Sequence, residues 1–272
     1  MEALKIGDVV TRKSYGGDIH FKIAEIANNR SSGRKTYLLK GVLYRILADS
    51  EEYDLEWKSP EEVDREIKSR LVTEGIHHMS RGSSPFRLFQ RVRGRAGTIL
   101  HVDSSAEFME MCLKYYEDAK IKAVGRVVPE SDQPDSIRSL LAATKADVLV
   151  ATGHDGLKKN AVKMNSLDSY RNSRYFIQTA QEARKYQPSF DKLCIFSGAC
   201  QSYFEGIMEA GANFASSPGR ILIHALDPAK VGDRIALTDS RYYVSPEQIA
   251  RLTQSGIKGI GGVKSKGHFI LQ

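Results

Sequence analysis

Two apolar runs in this chain end in residues that can do covalent chemistry. The first reads Asp147-Val-Leu-Val-Ala-Thr-Gly-His154-Asp155-Gly156, and the second Lys192-Leu-Cys-Ile-Phe-Ser-Gly-Ala-Cys200-Gln201. Both are short, rich in β-branched or aromatic residues, and closed by small residues, which is the pattern of buried parallel strands. Neighbouring strands lie about 4.8 Å apart. A His and a Cys would then emerge side by side at the C-terminal ends, where open α/β sheets carry their sites. The expected chemistry is acyl transfer by a His154–Cys200 dyad.

A cysteine attacks only as its thiolate. Two features would favour that form at Cys200. His154 on the adjacent strand could take or share its proton. A helix expected over Ser202–Ala210 would aim unpaired N–H groups at the sulfur. Gly153, Gly156, Gly198 and Ala199 leave room for a substrate backbone. The oxyanion of the tetrahedral intermediate needs donors, and the N–H of Cys200 and that of Asp155 or Gly156 are the nearest. The Asp155 side chain points away from its neighbour His154 on an extended chain, so a binding role is its alternative.

The plainer readings of the same residues are a small core Cys and a hydrogen-bonded structural His. Their pairing at matching strand ends, one helical crossover apart, favours the dyad. Cys112 lies in an amphipathic helix and Cys194 inside a strand, so both read as packing residues. Ser197 and Ser202 flank Cys200, but no G-x-S-x-G elbow is present. His77-His78 is an isolated pair read as linker, and neither metal nor cofactor is expected.

These two runs must be positioned by a sheet, and the surrounding sequence supplies one. From Ala96 onward strands and helices alternate: strands at Thr98–Val102, Lys122–Val128, Val148–Thr152, Leu193–Phe196 and Arg220–Leu226, with helices between them. Repeated βα units imply a doubly wound, mostly parallel sheet with helices on both faces. Ser245-Pro246-Glu247-Gln248 carries a capping-box spacing and opens a last helix. Gly259–Gly267 lacks the spacing of a phosphate loop and is read as a turn.

Ahead of this region, residues 1–57 read as a small β-barrel of SH3-like size. Its short strands, Gly7–Arg12, His20–Ile26, Lys35–Lys40 and Val42–Ala48, are separated by Gly-, Ser- and Asn-rich turns. Residues 58–95 form a helix, opened by the Ser59-Pro60-Glu61-Glu62 capping box, and then a basic linker. Residues 96–272 form the α/β domain.

Composition narrows the classes. The chain has 272 residues, 41% of them hydrophobic and 27% charged, within the range of ordinary globular proteins. No apolar run approaches the roughly 18 residues of a membrane span. The N-terminal Met-Glu-Ala-Leu-Lys-Ile-Gly-Asp has no apolar signal core, so a mature, intracellular chain is expected. Three cysteines make no disulfide framework and fit a reducing compartment. The net charge of +7 is concentrated between Arg81 and Arg95, where Arg81, Arg87, Arg91, Arg93 and Arg95 meet no acid. Such a stripe attracts phosphate, yet only Phe86 and Phe89 could stack on bases. A solvated linker is therefore favoured over nucleic-acid binding.

An apolar strand ending in His-Gly, followed by one ending in Ala-Cys, resembles the caspase, clostripain, gingipain and separase clan of cysteine proteases. The chain as a whole resembles the YabG family of sporulation-specific proteases. That resemblance rests on Lys5–Asp18, Leu39–Ser50, Thr152-Gly-His-Asp-Gly156 and Ser197-Gly-Ala-Cys-Gln-Ser202. It implies a caspase-like α/β sandwich and an endopeptidase of the sporulating mother cell that processes spore coat and cortex-associated proteins. It also implies His154 as acid and base, Cys200 as nucleophile, and N–H donors at Cys200 and the glycine after the histidine. Here Asp155 separates His154 from Gly156, so the choice between those two donors stays open.

Several relatives in that clan cut after Arg or Lys, which requires a carboxylate in the S1 pocket. Ser197-Gly-Ala occupies the stretch that is acidic in some of them. Asp103, after the first strand of the α/β domain, and Asp227, after the fifth, are the candidates, with helix cap or turn residue as their alternative. On a basic preference, the 81–95 linker would be open to self-cleavage. The competing reading is a non-enzymatic binding protein whose barrel and basic linker grip nucleic acid or an acidic partner. Paired reactive residues at strand ends are what such a binder would not need.

Overall fold

A computed structural model describes residues 3–28, 35–73, 94–159, 161 and 163–271, without the side chains of 68–73. The isolated His77-His78 pair and most of the basic stretch, up to residue 93, lie outside the described residues. The chain divides into two compact units, Met1–Ser84 and Pro85–Gln272, so the division falls within the basic stretch.

The first unit is an antiparallel sheet of β1 (Val9–Arg12), β2 (Phe21–Asn28), β3 (Lys35–Gly41), β4 (Leu47–Glu51) and β5 (Leu55–Trp57), in the order β4-β3-β2-β1-β5. Alternation sets its inner face: Phe21 and Ile23 are buried while Lys22 between them is exposed. A register shift between Ile23 and Glu25 bends β2 against β3. The fourth strand falls later than the expected Val42–Ala48. There, Gly41 N–H closes a turn onto Ile46 O at 2.9 Å, and the apolar Leu43 and Ile46 are buried within that turn. Helix α1 (Pro60–Thr73) starts as its capping box requires: Glu62 N–H donates to Ser59 Oγ at 3.2 Å and Ser59 N–H to Glu62 Oε2 at 3.1 Å.

The second unit is a mixed α/β structure. Its strands are β7 (Ile99–Asp103), β8 (Ala123–Val127), β9 (Val148–Ala151), β10 (Cys194–Ser197), β11 (Phe214–Ser216) and β13 (Ile260–Gly262), in the order β13-β11-β10-β9-β7-β8. All pairings are parallel except β11 with β13. Helices α2 (Ala106–Asp118), α3 (Gln133–Thr144), α4 (Ser173–Tyr186) and α5 (Phe204–Glu209) connect the strands, and α6 (Asp227–Leu237) follows them. Leu100, Val102, Leu149, Ala151 and Ile195 pack with Ile137, Phe176, Ala180 and Ile207 from α3, α4 and α5. Against the opposite face lies Gly232 of α6, where a Cβ would stand 3.1 Å from Val150 and 3.3 Å from Ile99. Both faces are covered, which is why β9 and β10 read as unbroken apolar runs. At the N-terminal edge of the unit, β6 (Gly94–Arg95) pairs with β15 (Ile270–Leu271).

Two expectations need correction. The apolar run Arg220–Leu226 is not the fifth strand; that place belongs to Phe214–Ser216, three residues long. The Arg220–Leu226 run is buried from Ile223 onward by crossing the end of the sheet, so burial without ladder pairing accounts for its apolarity. The Gly259–Gly267 turn contains a real strand: β13 lies so close to β11 that a Cβ on Gly262 would stand 2.9 Å from Phe214 Cα, an approach only glycine permits.

Candidate active site

Successive strands leave β7 toward β8 on one side and β9 toward β10 on the other, so the crevice between β7 and β9 is the switch point of this sheet. His154 follows the C-terminal end of β9 and Cys200 that of its neighbour β10. The β9–β10 ladder runs in register from Val148↔Cys194 to Ala151↔Ser197. His154 and Cys200 each lie three residues beyond that last pair, past the ends of β9 and β10. Both are buried, at 2% and 0% exposure.

His154 is held on three sides. Its N–H donates to Glu130 Oε1 at 2.7 Å, and its carbonyl accepts from Asn172 Nδ2 at 2.8 Å. Its ring stacks on Phe108, in the first turn of α2, with centroids 5.2 Å apart and an angle of 22°. Glu130 Oε1 also accepts from Ser104 Oγ at 2.5 Å. A Cβ on Gly153 would meet both Glu130 Oε1, at 2.5 Å, and Ser104 Oγ, at 2.8 Å, so a larger residue there would push this hydrogen-bonded pair aside.

Cys200 lies in a tight loop between two residues with left-handed backbone, Gly198 (φ 112°) and Gln201 (φ 54°). Helix α5 begins only at Phe204, after an N-cap at Tyr203, so the expected helix start at Ser202 is not what meets the sulfur. Instead Ile223 N–H donates to Cys200 Sγ at 3.0 Å, and the thiol reaches Ile223 O at 3.6 Å. The misread apolar run is thus the segment lying over the thiol. Gln201 N–H fastens that segment by donating to Ile221 O at 3.1 Å. Arg220, at its start, donates to Tyr170 Oη at 2.7 Å and pairs with Glu205.

Asp155 is fully buried and accepts four hydrogen bonds. Gly156 N–H and Asn172 N–H each donate to Oδ1 at 2.8 Å; Ser173 Oγ and Ser202 Oγ donate to Oδ2 at 2.5 and 2.9 Å. The carboxylate therefore sits at the N-terminus of α4, a favourable place for negative charge. Burial nonetheless pushes its carboxyl up to about 6, against the pull of those four donors. The Gly156 N–H, one of the expected oxyanion donors, is engaged by Asp155 Oδ1 in this conformation.

The two S1 candidates lie apart from one another in the sequence and differ in setting. Asp103 ends β7; its Oδ1 accepts from Ser105 N–H at 2.9 Å, and its Oδ2 lies 3.7 Å from His101 Nε2. Asp227 does not follow a strand but opens α6. Its carboxylate accepts from Gln254 N–H and Ser255 N–H, both at 2.9 Å, and from Ser255 Oγ at 2.5 Å. Cys112 and Cys194 are buried in α2 and β10, and burial raises the Cys194 thiol. Among the described residues no group of three or more His, Cys, Asp or Glu could hold a metal ion, and no helix is long and apolar enough to cross a membrane.

Sequence reasoning missed Glu130, Ser104, Phe108, Asn172, Ser173 and Ile223 as neighbours of His154, Asp155 and Cys200. The one local signal was Pro129-Glu130 closing the strand beside the switch point.

The model of a family described as YabG peptidase U57 matches residues 5–271. A sporulation-specific protease YabG of Bacillus subtilis (strain 168) is 35% identical over 279 residues, spanning 97% of this chain and 95% of that protein.

Proposed function

The chain belongs to the YabG peptidase family and is a protease, and from that premise we propose that it is a cysteine endopeptidase working through Cys200 and His154. The observation carrying this reading is the in-register β9–β10 pairing, which gives the two residues the same three-residue reach beyond the sheet. Family membership also favours the enzyme over the non-enzymatic binding reading.

In this mechanism the Cys200 thiolate attacks the scissile carbonyl, forming the C–S bond and an oxyanion. The Cys200 N–H and an N–H at Asp155 or Gly156 stabilise that charge; use of Gly156 requires it to exchange its bond to Asp155 Oδ1. His154, protonated by taking the thiol proton, returns it to the leaving amine as the C–N bond breaks. It then draws a proton from water, whose oxygen cleaves the acyl-enzyme and restores the thiol. Substrate must first displace the Ile223 backbone from the sulfur, because Cys200 is wholly covered.

The finer assignments follow the same reading. The strand order supports a caspase-like sandwich, and the five antiparallel strands support an SH3-like barrel that recruits substrate. The relative's name as a sporulation-specific protease supports a role in a sporulating cell, and on this reading spore coat and cortex-associated proteins are the substrates, processed in the mother cell. Cleavage after Arg or Lys would use Asp103 or Asp227 and would expose the 81–95 linker to self-cleavage.

The test is hydrolysis of fluorescein-labelled casein by full-length protein. Cys200→Ala and His154→Ala should each lose about a thousandfold or more, and sequencing of new N-termini reads the residue before each cut. Undiminished hydrolysis by either variant would overturn the dyad, and cuts with no basic preference would remove the S1 assignment.

A further inference from the structure

Cys200 belongs to no helix or strand, so its loop must be held by hydrogen bonds from elsewhere. The end nearest the sheet is tied to β9: Gly198 N–H donates to Ala151 O at 3.1 Å, and Thr152 Oγ1 donates to Gly198 O at 2.8 Å. The two amides that bracket the nucleophile farther out are held differently. Ala199 N–H donates to Ser202 Oγ at 3.0 Å, and Ser202 Oγ donates to Asp155 Oδ2 at 2.9 Å. Tyr203 N–H donates to Ser173 Oγ at 2.8 Å, and Ser173 Oγ donates to the same Asp155 Oδ2 at 2.5 Å. Both sides of the loop therefore end on one carboxylate oxygen, carried by the residue that follows His154.

We propose that the Asp155 side chain is a positioning residue for the peptidase reaction, fixing the Cys200 loop against the His154 strand end through Ser202 and Ser173. The inference rests on the dyad reading given above.

The chemistry requires a carboxylate. A serine hydroxyl has one proton. Each of these hydroxyls receives an N–H and must spend its proton on Oδ2, so that atom has to accept twice. On the other side, Oδ1 accepts two backbone N–H groups, from Gly156 and Asn172. An asparagine at this position cannot meet the pattern in either orientation. Its amide NH2 would face two hydroxyl protons in one and two backbone N–H groups in the other. The same carboxylate orders the His154 side too, since its partner Asn172 also donates through Nδ2 to His154 O. The group acts on the reaction through the loop and touches no reacting atom.

The experiment compares hydrolysis of fluorescein-labelled casein by full-length wild type, Asp155→Asn, Ser202→Ala, Ser173→Ala and Asp155→Asn/Ser202→Ala. Asp155→Asn should lower kcat by about a hundredfold with KM changed less than about threefold, and each serine variant by about tenfold. Adding Ser202→Ala to Asp155→Asn should cost little more, since residues of one network are not additive. A merely structural role would instead move stability without this split and would give additive losses. If Asp155→Asn does not fold, Ser202→Ala carries the test, because it keeps the carboxylate and its other three donors. Wild-type kcat in folded Asp155→Asn, or in Ser202→Ala, overturns the proposal. Activity that survives Cys200→Ala overturns the dyad reading, and this proposal with it.

Discussion

The Ser202 hydroxyl donates to Asp155 Oδ2 at 2.9 Å, linking the residue after His154 to the second residue after Cys200. One short side chain thus couples two strand ends that are 47 positions apart in sequence. The bond lies between buried groups, where an unsatisfied partner is costly, so the loops that carry His154 and Cys200 are joined by a polar contact as well as by the sheet.

Asp155 also makes stability depend on pH. Its carboxyl titrates near 6 in the folded chain and near 3.9 when unfolded. The folded state therefore binds the proton more tightly, and this contribution is fully present below about pH 3.9 and lost as pH rises through 6. Comparing wild type with Asp155→Asn cancels other groups. The stability difference, wild type minus variant, should fall by about 2 kcal/mol between pH 4 and pH 7, as read by chemical denaturation at both values. A difference that does not vary with pH would refute the shift.

Glu130 tests the support of His154. Glu130→Gln retains Oε1 as an acceptor for His154 N–H and Ser104 Oγ and should keep most activity. Glu130→Ala removes that acceptor, at a cost of about 1–3 kcal/mol for a buried donor, and should lower kcat by roughly tenfold or more. Steady-state kinetics on both variants decide it; equal behaviour would mean that the backbone of His154 does not need this carboxylate.

Gly198 tests the turn that carries the thiol. Its φ of 112° is a region L side chains rarely enter, and a Cβ there would stand 2.7 Å from Ser216 Oγ and 3.1 Å from Ile207 Cδ1. Gly198→Ala should destabilise the second unit by about 1–3 kcal/mol from backbone strain alone and reduce activity alongside. Unchanged melting would show that the loop relaxes without strain.

Arg220 tests the cover over Cys200. Its guanidinium is held by Tyr170 Oη, by Glu205, and by the carbonyls of Ser217 and Pro218. Arg220→Ala should loosen the segment that places Ile223 on the sulfur. Alkylation of Cys200 by iodoacetamide, followed by peptide mapping, should then speed up on the order of tenfold, as local opening becomes less costly. An unchanged rate would mean that Ile223 is held by its own burial rather than by the arginine.

Much of the fold was legible because its signals are local. The capping boxes at Ser59 and Ser245 were readable from a three-residue spacing, and both form with reciprocal bonds. Strands β9 and β10 were readable because a strand covered on both faces is apolar at every position. The Arg220–Leu226 run shows the limit of that inference. Apolarity reports burial, and Ile223 is buried without pairing in the sheet. Residues 214–216 were too short to stand out as a strand, and the glycines of β13 concealed one, since its fit depends on the Phe204 and Phe214 side chains it meets.

Side-chain pattern along a few neighbouring positions was enough for the His and Cys residue types, the strands that precede them and the first four strands of the α/β unit. Tertiary contacts alone paired Ala151 with Ser197 ahead of His154 and Cys200, set Glu130 and Phe108 against the histidine, laid Ile223 over the thiol, and let Asp155 accept from both sides of the cysteine loop. Those are contacts between segments distant in the chain. Their formation depends on which surfaces meet when the sheet closes, and residue spacing carries no record of that.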